Sequence, residues 1–128
     1  LRAVIEHGAG VNAVDIDQNT ALHAAAWNKA EAIDVLLEAG ANIEAPNFSV
    51  SGSTPLHYAS YILRREALLS LLKHGAAVNA RDRSHQTPLM CAASKAGTQG
   101  AAEVVDGLLR AGADETMVND DGRKASDL

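Results

Sequence analysis

Aromatic side chains are scarce: one Trp, one Phe and two Tyr, 3% of a 128-residue chain. With so few present, the position of each one carries weight. Cysteine occurs once, at Cys91. That excludes an internal disulfide framework and favours a reducing compartment, so an intracellular, cytoplasmic location is expected. No apolar run approaches the roughly 18 residues of a membrane-spanning helix, so no membrane insertion is expected. Nor is there an excess of basic charge: 11 Lys and Arg stand against 16 Asp and Glu, a net charge of −5. The bases are scattered, with pairs only at Arg64-Arg65 and Arg123-Lys124. A general grip on nucleic acid needs clustered cations that displace counterions from phosphate, so none is expected. No signal peptide is visible. The chain opens at Leu1 without Met, and its natural N-terminus is expected upstream. What remains, 47% hydrophobic and 21% charged, is ordinary for one folded domain.

What is present in quantity is repetition. Thr20-Ala21-Leu22, Thr54-Pro55-Leu56 and Thr87-Pro88-Leu89 follow one another at intervals of 34 and 33 residues. A second marker is an apolar pair followed by Gly-Ala. It runs Leu36-Leu37 to Gly40-Ala41, Leu71-Leu72 to Gly75-Ala76 and Leu108-Leu109 to Gly112-Ala113, with a fourth copy from Val4-Ile5 to Gly8-Ala9. A third is Val11-Asn12-Ala13, Ile43-Glu44-Ala45 and Val78-Asn79-Ala80. Three markers in one order at one period define a repeat array.

Thr54-Pro55-Leu56-His57-Tyr58-Ala59, continued by Leu71-Leu72-Lys73-His74-Gly75-Ala76-Ala77-Val78-Asn79-Ala80, resembles an ankyrin repeat in nearly every signature position. The resemblance covers the whole chain. It implies an all-α solenoid of stacked helix-turn-helix units with finger-like hairpin loops, one domain over 1–128. Its parts are a partial repeat (1–14), complete repeats (15–46, 47–81, 82–118) and the start of a further or capping repeat (119–128). Elementary chemistry agrees. Thr before Pro starts a helix, because the hydroxyl caps free N–H groups and Pro at the first position has no N–H to leave orphaned. First helices are expected at 21–28, 55–62 and 88–95, and second helices at 31–38, 66–73 and 103–110. Gly40, Gly75 and Gly112 terminate the latter. The intervening fingers are rich in Asp, Asn, Ser and Gly, all turn formers. No single pair can bury its apolar face, so stability comes from stacking.

Departures from the period locate insertions. Thr87 to Gly112 spans about four residues more than the corresponding stretches, which places an insertion in 95–102. Two glycines there predict a longer loop; an extra helical turn is the alternative. The finger before Thr54 is about two residues longer than its neighbours. Gly107 interrupts a second helix at about 1 kcal/mol relative to Ala, marking it as the weakest of the three.

Chemistry is mostly excluded. The resemblance implies that His23 and His57, last in the Thr-x-x-His motif, link neighbouring repeats; Met90 replaces His in the third copy. His7 and His74 precede terminating glycines, and His85 takes a turn position. No zinc-type spacing is present, so no metal is expected. Cys91 reads as a packing residue rather than a nucleophile. Phosphate loops, Ser/His/Asp arrangements and dinucleotide fingerprints are absent, so neither catalysis nor a cofactor is expected.

Surface remains. The resemblance implies a concave groove of fingers and first helices that binds another protein, in a module expected to be monomeric. By register, the groove positions are Ile16, Asp17, Asn19, Trp27 and Asn28, then Val50, Ser51, Ser53, Tyr61 and Ile62, then Arg83, Ser84, Gln86, Ser94 and Lys95. Trp27 and Tyr61 hold the same register position, and Phe48 lies on the lengthened finger beside them. Such a cluster reads as a binding hot spot with Asp17, Asn19, Ser53, Arg83 and Gln86 as its polar rim. The competing reading has Trp27 and Tyr61 packed on each other and Phe48 plugging the finger base. Tyr58 falls nearer the inter-repeat seam and reads as structural. The alternative function is a structural spacer or intramolecular regulator within a longer chain.

Overall fold

The computed structural model describes residues 19–47 and 51–128. Among these the chain forms six α-helices and no strand. They are α1 Ala21–Asn28, α2 Ala32–Glu38, α3 Pro55–Tyr61, α4 Arg65–Lys73, α5 Pro88–Ala93 and α6 Ala101–Arg110, followed by a 3-10 turn, Ala125–Asp127. Consecutive helices pair as α1–α2, α3–α4 and α5–α6. The pairs stack in two layers. The first helices pack as α1–α3–α5, with the 3-10 turn continuing the row, and the second helices as α2–α4–α6. This is the expected all-α solenoid.

Each first helix begins at a threonine in extended conformation. The hydroxyls of Thr20, Thr54 and Thr87 accept from the backbone N–H groups of His23, His57 and Met90. The helices are thin where they meet, because Ala25, Ala26, Ala59 and Ala92 are buried there. Leu22, Leu56 and Leu89, from the repeated tripeptide, are buried beside them. With so few aromatics, close approach of small faces supplies the contact that bulk would otherwise give.

The second helices end alike. Gly40, Gly75 and Gly112 have φ of +97°, +89° and +95°, a conformation that side chains resist. It lets the N–H groups of Ala41, Ala76 and Ala113 reach back to the carbonyls of Leu36, Leu71 and Leu108 at 3.0 Å. Those leucines are fully buried, so the motif anchors the core and satisfies an orphan carbonyl in one turn. Gly107 has a different use. A Cβ there would lie 3.1 Å from Leu68 Cδ2, so the missing side chain is what lets α6 close on α4. The helix it interrupts is nonetheless the longest among the described residues, at 10 residues.

Both insertions fall where the spacing puts them. The finger bases close by backbone bonds from Asn47 to Ser53, Asp82 to Gln86 and Asn119 to Arg123. The first of these loops is two residues longer than the others. Between α5 and α6, residues 94–100 form successive turns with Gly97 and Gly100 at φ near +90°; no extra helical turn is present. Accordingly α5 stops at Ala93, two residues short of the expected end. Chain reversals from Ser94 onward compete with continued helix.

Histidines tie the first helices to the next finger. His57 Nε2–H donates to the Gln86 carbonyl at 2.7 Å, while Nδ1 accepts from the Thr54 hydroxyl at 2.8 Å. His23 does the same between Ser53 and Thr20. Met90 has no ring nitrogen to give, so the third pair keeps its helix cap and loses the cross-repeat bond. The geometry needs a neutral ring, and burial pushes His57 below its ordinary 6.5, outweighing the opposing pull of the Gln86 carbonyl. A depressed folded value means that the unfolded chain binds the extra proton first as pH falls. Stability is therefore full above about pH 6.5 and declines below it, by up to about 1.4 kcal/mol per pH unit, until the folded value is reached. Melting temperatures between pH 7.5 and 5.5 should fall more steeply for the parent than for His57→Gln; parallel slopes would refute this.

Candidate functional site

Trp27 and Tyr61 both lie seven residues after a capping threonine, in the last turns of α1 and α3. Both are largely uncovered, at 47% and 52% exposure. Neither ring covers the other. Trp27 meets Tyr58, with centroids 6.4 Å apart and planes tilted by 43°. Tyr58 in turn sets its ring against the buried His23 at 5.8 Å in an edge arrangement. Tyr58 thus joins the seam to the surface, which fits its structural reading, and the reading in which Trp27 packs on Tyr61 is corrected. The cause is geometric: the α3 residue one turn earlier, not the register mate, reaches across to α1.

Each exposed ring carries a cation. The Arg64 guanidinium carbon is 5.2 Å from the Trp27 ring centroid, and Lys95 Nζ is 4.0 Å from that of Tyr61. Arg64 and Lys95 come from the turns that follow α3 and α5, so both pairings bridge elements distant in sequence. Register singles out Lys95. It misses Arg64, because nothing in the spacing shows which ring the α3–α4 turn will reach.

Two hollows flank these rings. One, of about 280 Å³, lies between fingers and first helices and is lined by Asn47, Ser51, Ser53, Tyr58, Tyr61, Asp82, Gln86 and Cys91. It brings together Ser53, Tyr61 and Gln86, three of the register positions. The other, of about 500 Å³, lies beside Trp27, with Ala30, Glu31, Leu63, Arg64, Arg65 and Glu66 among its walls. Lys95 reaches the same surface through Tyr61.

The remaining register positions divide. Asn19 Oδ1 accepts from Asn47 Nδ2 at 3.3 Å, so it ties finger to finger. Ser53 donates its N–H to Asn47 Oδ1 and shares a hydroxyl contact with Ser51. Arg83 donates its backbone N–H to the Ser51 carbonyl and lays its side chain across Gly52, where a Cβ would meet Arg83 Cγ at 3.0 Å. Gln86 spends its N–H on Asp82 Oδ1 and its carbonyl on His57. Asn28 closes α1. Ile16, Asp17, Phe48 and Val50 lie outside the described residues, as does His7.

The other two exposed histidines cross repeat seams: His74 pairs with Asp34 and His85 with Asp120, each at 2.5 Å. His85 does hold a turn position, at φ +60°. Glu44 and Asn79, from the third sequence marker, accept the N–H groups of Ala77 and Asp114 in the following unit. In its two described copies that marker is therefore an inter-repeat clamp.

Reactive chemistry finds little purchase. Cys91 is buried, and burial pushes its thiol up to about 12. At pH 8 essentially no thiolate exists, so a thiol-specific chromogenic disulfide should leave the folded protein unmodified for hours and label one thiol promptly in denaturant. Fast labelling without denaturant would contradict that packing. Among the described residues no group of three His, Cys, Asp or Glu side chains is arranged to hold a metal. Among them, too, no helix is long and apolar enough to cross a membrane.

Comparison with known proteins agrees with the architecture. A family model described as three copies of the ankyrin repeat matches residues 44–119, and a single-repeat model matches 17–48. The chain is 39% identical over 94 residues to Protein PhlB of Serratia liquefaciens, covering 73% of this chain and 41% of that protein. It is 34% identical over 116 residues to Alpha-latrocrustotoxin-Lt1a of Latrodectus tredecimguttatus, covering 89% and 8%. It is 37% identical over 90 residues to the glycerophosphocholine phosphodiesterase gde1 of Schizosaccharomyces pombe, covering 70% and 8%. The chain thus spans under half the length of each of these relatives.

Proposed function

Because this chain belongs to the ankyrin repeat family, whose members are generally protein-interaction modules, we propose that it binds a protein partner in the groove between its fingers and first helices. The observation that carries this reading is the pair of half-exposed rings, Trp27 and Tyr61, beside a hollow walled by both finger and helix residues. Large rings on positions the stack does not need are what a binding centre requires. The contact set is Trp27, Tyr61 and Lys95 with Ser53, Arg83 and Gln86, extended by Asn19, Asn28, Ile16, Asp17 and Phe48 from register. Repeats at 15–46, 47–81 and 82–118 form the platform. The module acts as a monomer inside the cell, binds no nucleic acid and performs no catalysis itself.

A second reading has its own support. The chain matches only 8% of an enzyme and 8% of a toxin, so the same array sits within much longer proteins. Here the groove would hold another part of the same polypeptide. Affinity capture from extract with the parent and a Trp27→Ala/Tyr61→Ala double variant tests the groove itself. A protein retained by the parent and lost by the folded double variant is the expected result. Equal retention by both would move the contact off the groove.

A further inference from the structure

The charge of this surface is opposite to that of the chain. Lys29, Arg64 and Lys95 occupy the turns that follow the three first helices and Arg65 opens α4 beside them, with Glu31 and Glu66 as the acids nearby. The described finger residues instead gather Glu44, Asp82, Asp114, Glu115, Asp120 and Asp121 around fewer bases. Among the described residues, none of those four cations has a carboxylate within ion-pair distance. Elsewhere Arg110 is paired with Asp106, and Arg81 is bonded to the Val118 carbonyl. Lys73, Arg123 and Lys124 likewise have no carboxylate within that distance, so what sets Arg64 and Lys95 apart is their seats on the two exposed rings. Arg64 and Lys95 rest on ring faces, a contact that holds the side chain in place without neutralising it. A guanidinium or ammonium held this way keeps N–H donors for a carboxylate, while the ring edge accepts hydrocarbon.

We propose that the partner reads this surface with an acidic segment: Asp or Glu carboxylates on Arg64 and Lys95, and an apolar side chain between them against Trp27 and Tyr61. This rests on the groove reading above and specifies what the groove takes. Single-stranded nucleic acid also combines anions with stacking. It is disfavoured because an evenly charged phosphate chain must also run past the acidic fingers, whereas a peptide can confine its carboxylates to the turn cations.

Trp27 is the one tryptophan in the chain, so its emission reports directly on this surface. The test titrates the protein with a capped twelve-residue peptide of Glu and Ser carrying one central Leu. Comparison probes are the same peptide with Gln for Glu, the same with Lys for Glu, and a twelve-nucleotide oligothymidylate. The acidic peptide should saturate the Trp27 signal at least about tenfold more tightly than the Gln peptide at low salt, and the gap should shrink as salt screens it. The Lys peptide should not bind. Arg64→Glu/Lys95→Glu should remove the preference while the protein stays folded, because neither residue belongs to the buried core. If the Gln peptide binds as well as the Glu peptide, and Tyr61→Ala weakens both alike, the groove stands and the acidic preference is overturned. If the oligothymidylate binds more tightly than any peptide, the partner class is wrong. If no probe perturbs Trp27, the proposal is overturned, while capture by the parent and loss by the double variant would still uphold the groove.

Discussion

Leu71→Ala is expected to lower the unfolding free energy by about 2–5 kcal/mol, and Leu56→Ala by a similar amount. Leu71 is fully buried in α4, which among the described helices packs against α3 in its own pair, α2 and α6 in its layer, and α1 across the stack. A void there is fenced on every side by other units, so collapse cannot fill it. The Leu71 backbone carbonyl also receives the N–H of Ala76, so the helix terminator is fastened to the residue whose side chain fills the core. Leu56 is the counterpart in the other layer, between α1 and α5. Against a total stability of about 5–15 kcal/mol, either change removes a large fraction. Urea unfolding followed by circular dichroism gives the number. A loss below about 1 kcal/mol at both sites would mean that the stack is not held by these contacts.

Trp27→Ala should weaken binding of a captured partner by about 2 kcal/mol or more, roughly thirtyfold, and Tyr61→Ala comparably. Truncations at Ser53, Arg83 or Gln86 should cost under about 1 kcal/mol, since each of these residues already makes bonds within the fingers. The two rings will not respond identically. Trp27→Ala also strips a face from Tyr58 and the seat of Arg64, so some stability goes with it. Tyr61→Ala releases only Lys95, among the ring contacts seen. Melting temperature should therefore fall slightly for Trp27→Ala and hold for Tyr61→Ala. If both variants bind like the parent, the contact lies elsewhere, with the convex helices or the 94–100 loop as candidates. If binding is lost only in step with unfolding, the aromatic cluster is structural.

Much of this was legible in the residues themselves. The threonine of Thr-x-x-His announces its own cap, because hydroxyl and backbone lie within four residues, while the link made by the histidine is what the ankyrin resemblance implies. Gly40, Gly75 and Gly112 end helices for a reason local to one residue, positive φ. The two insertions follow from counting against the period. Exposure of Trp27 and Tyr61 also agrees with register, since a stacked solenoid assigns inside and outside by position.

What the sequence by itself determined, then, is whatever depends on a few consecutive residues or on their periodic return: caps, terminators, helix pairs and the stacked solenoid, with Trp27 and Tyr61 at one shared register position. Only the tertiary structure decided the partners of those rings. Trp27 turns to Tyr58 and Arg64, and Tyr61 to Lys95, because rotamer choice and turn geometry set which side chains span the gap between units. It also decided that Gly107, a weak spot by propensity, is the gap into which Leu68 fits. Propensity is summed along one helix. Packing is settled between two, and no count along the chain contains the distance between them.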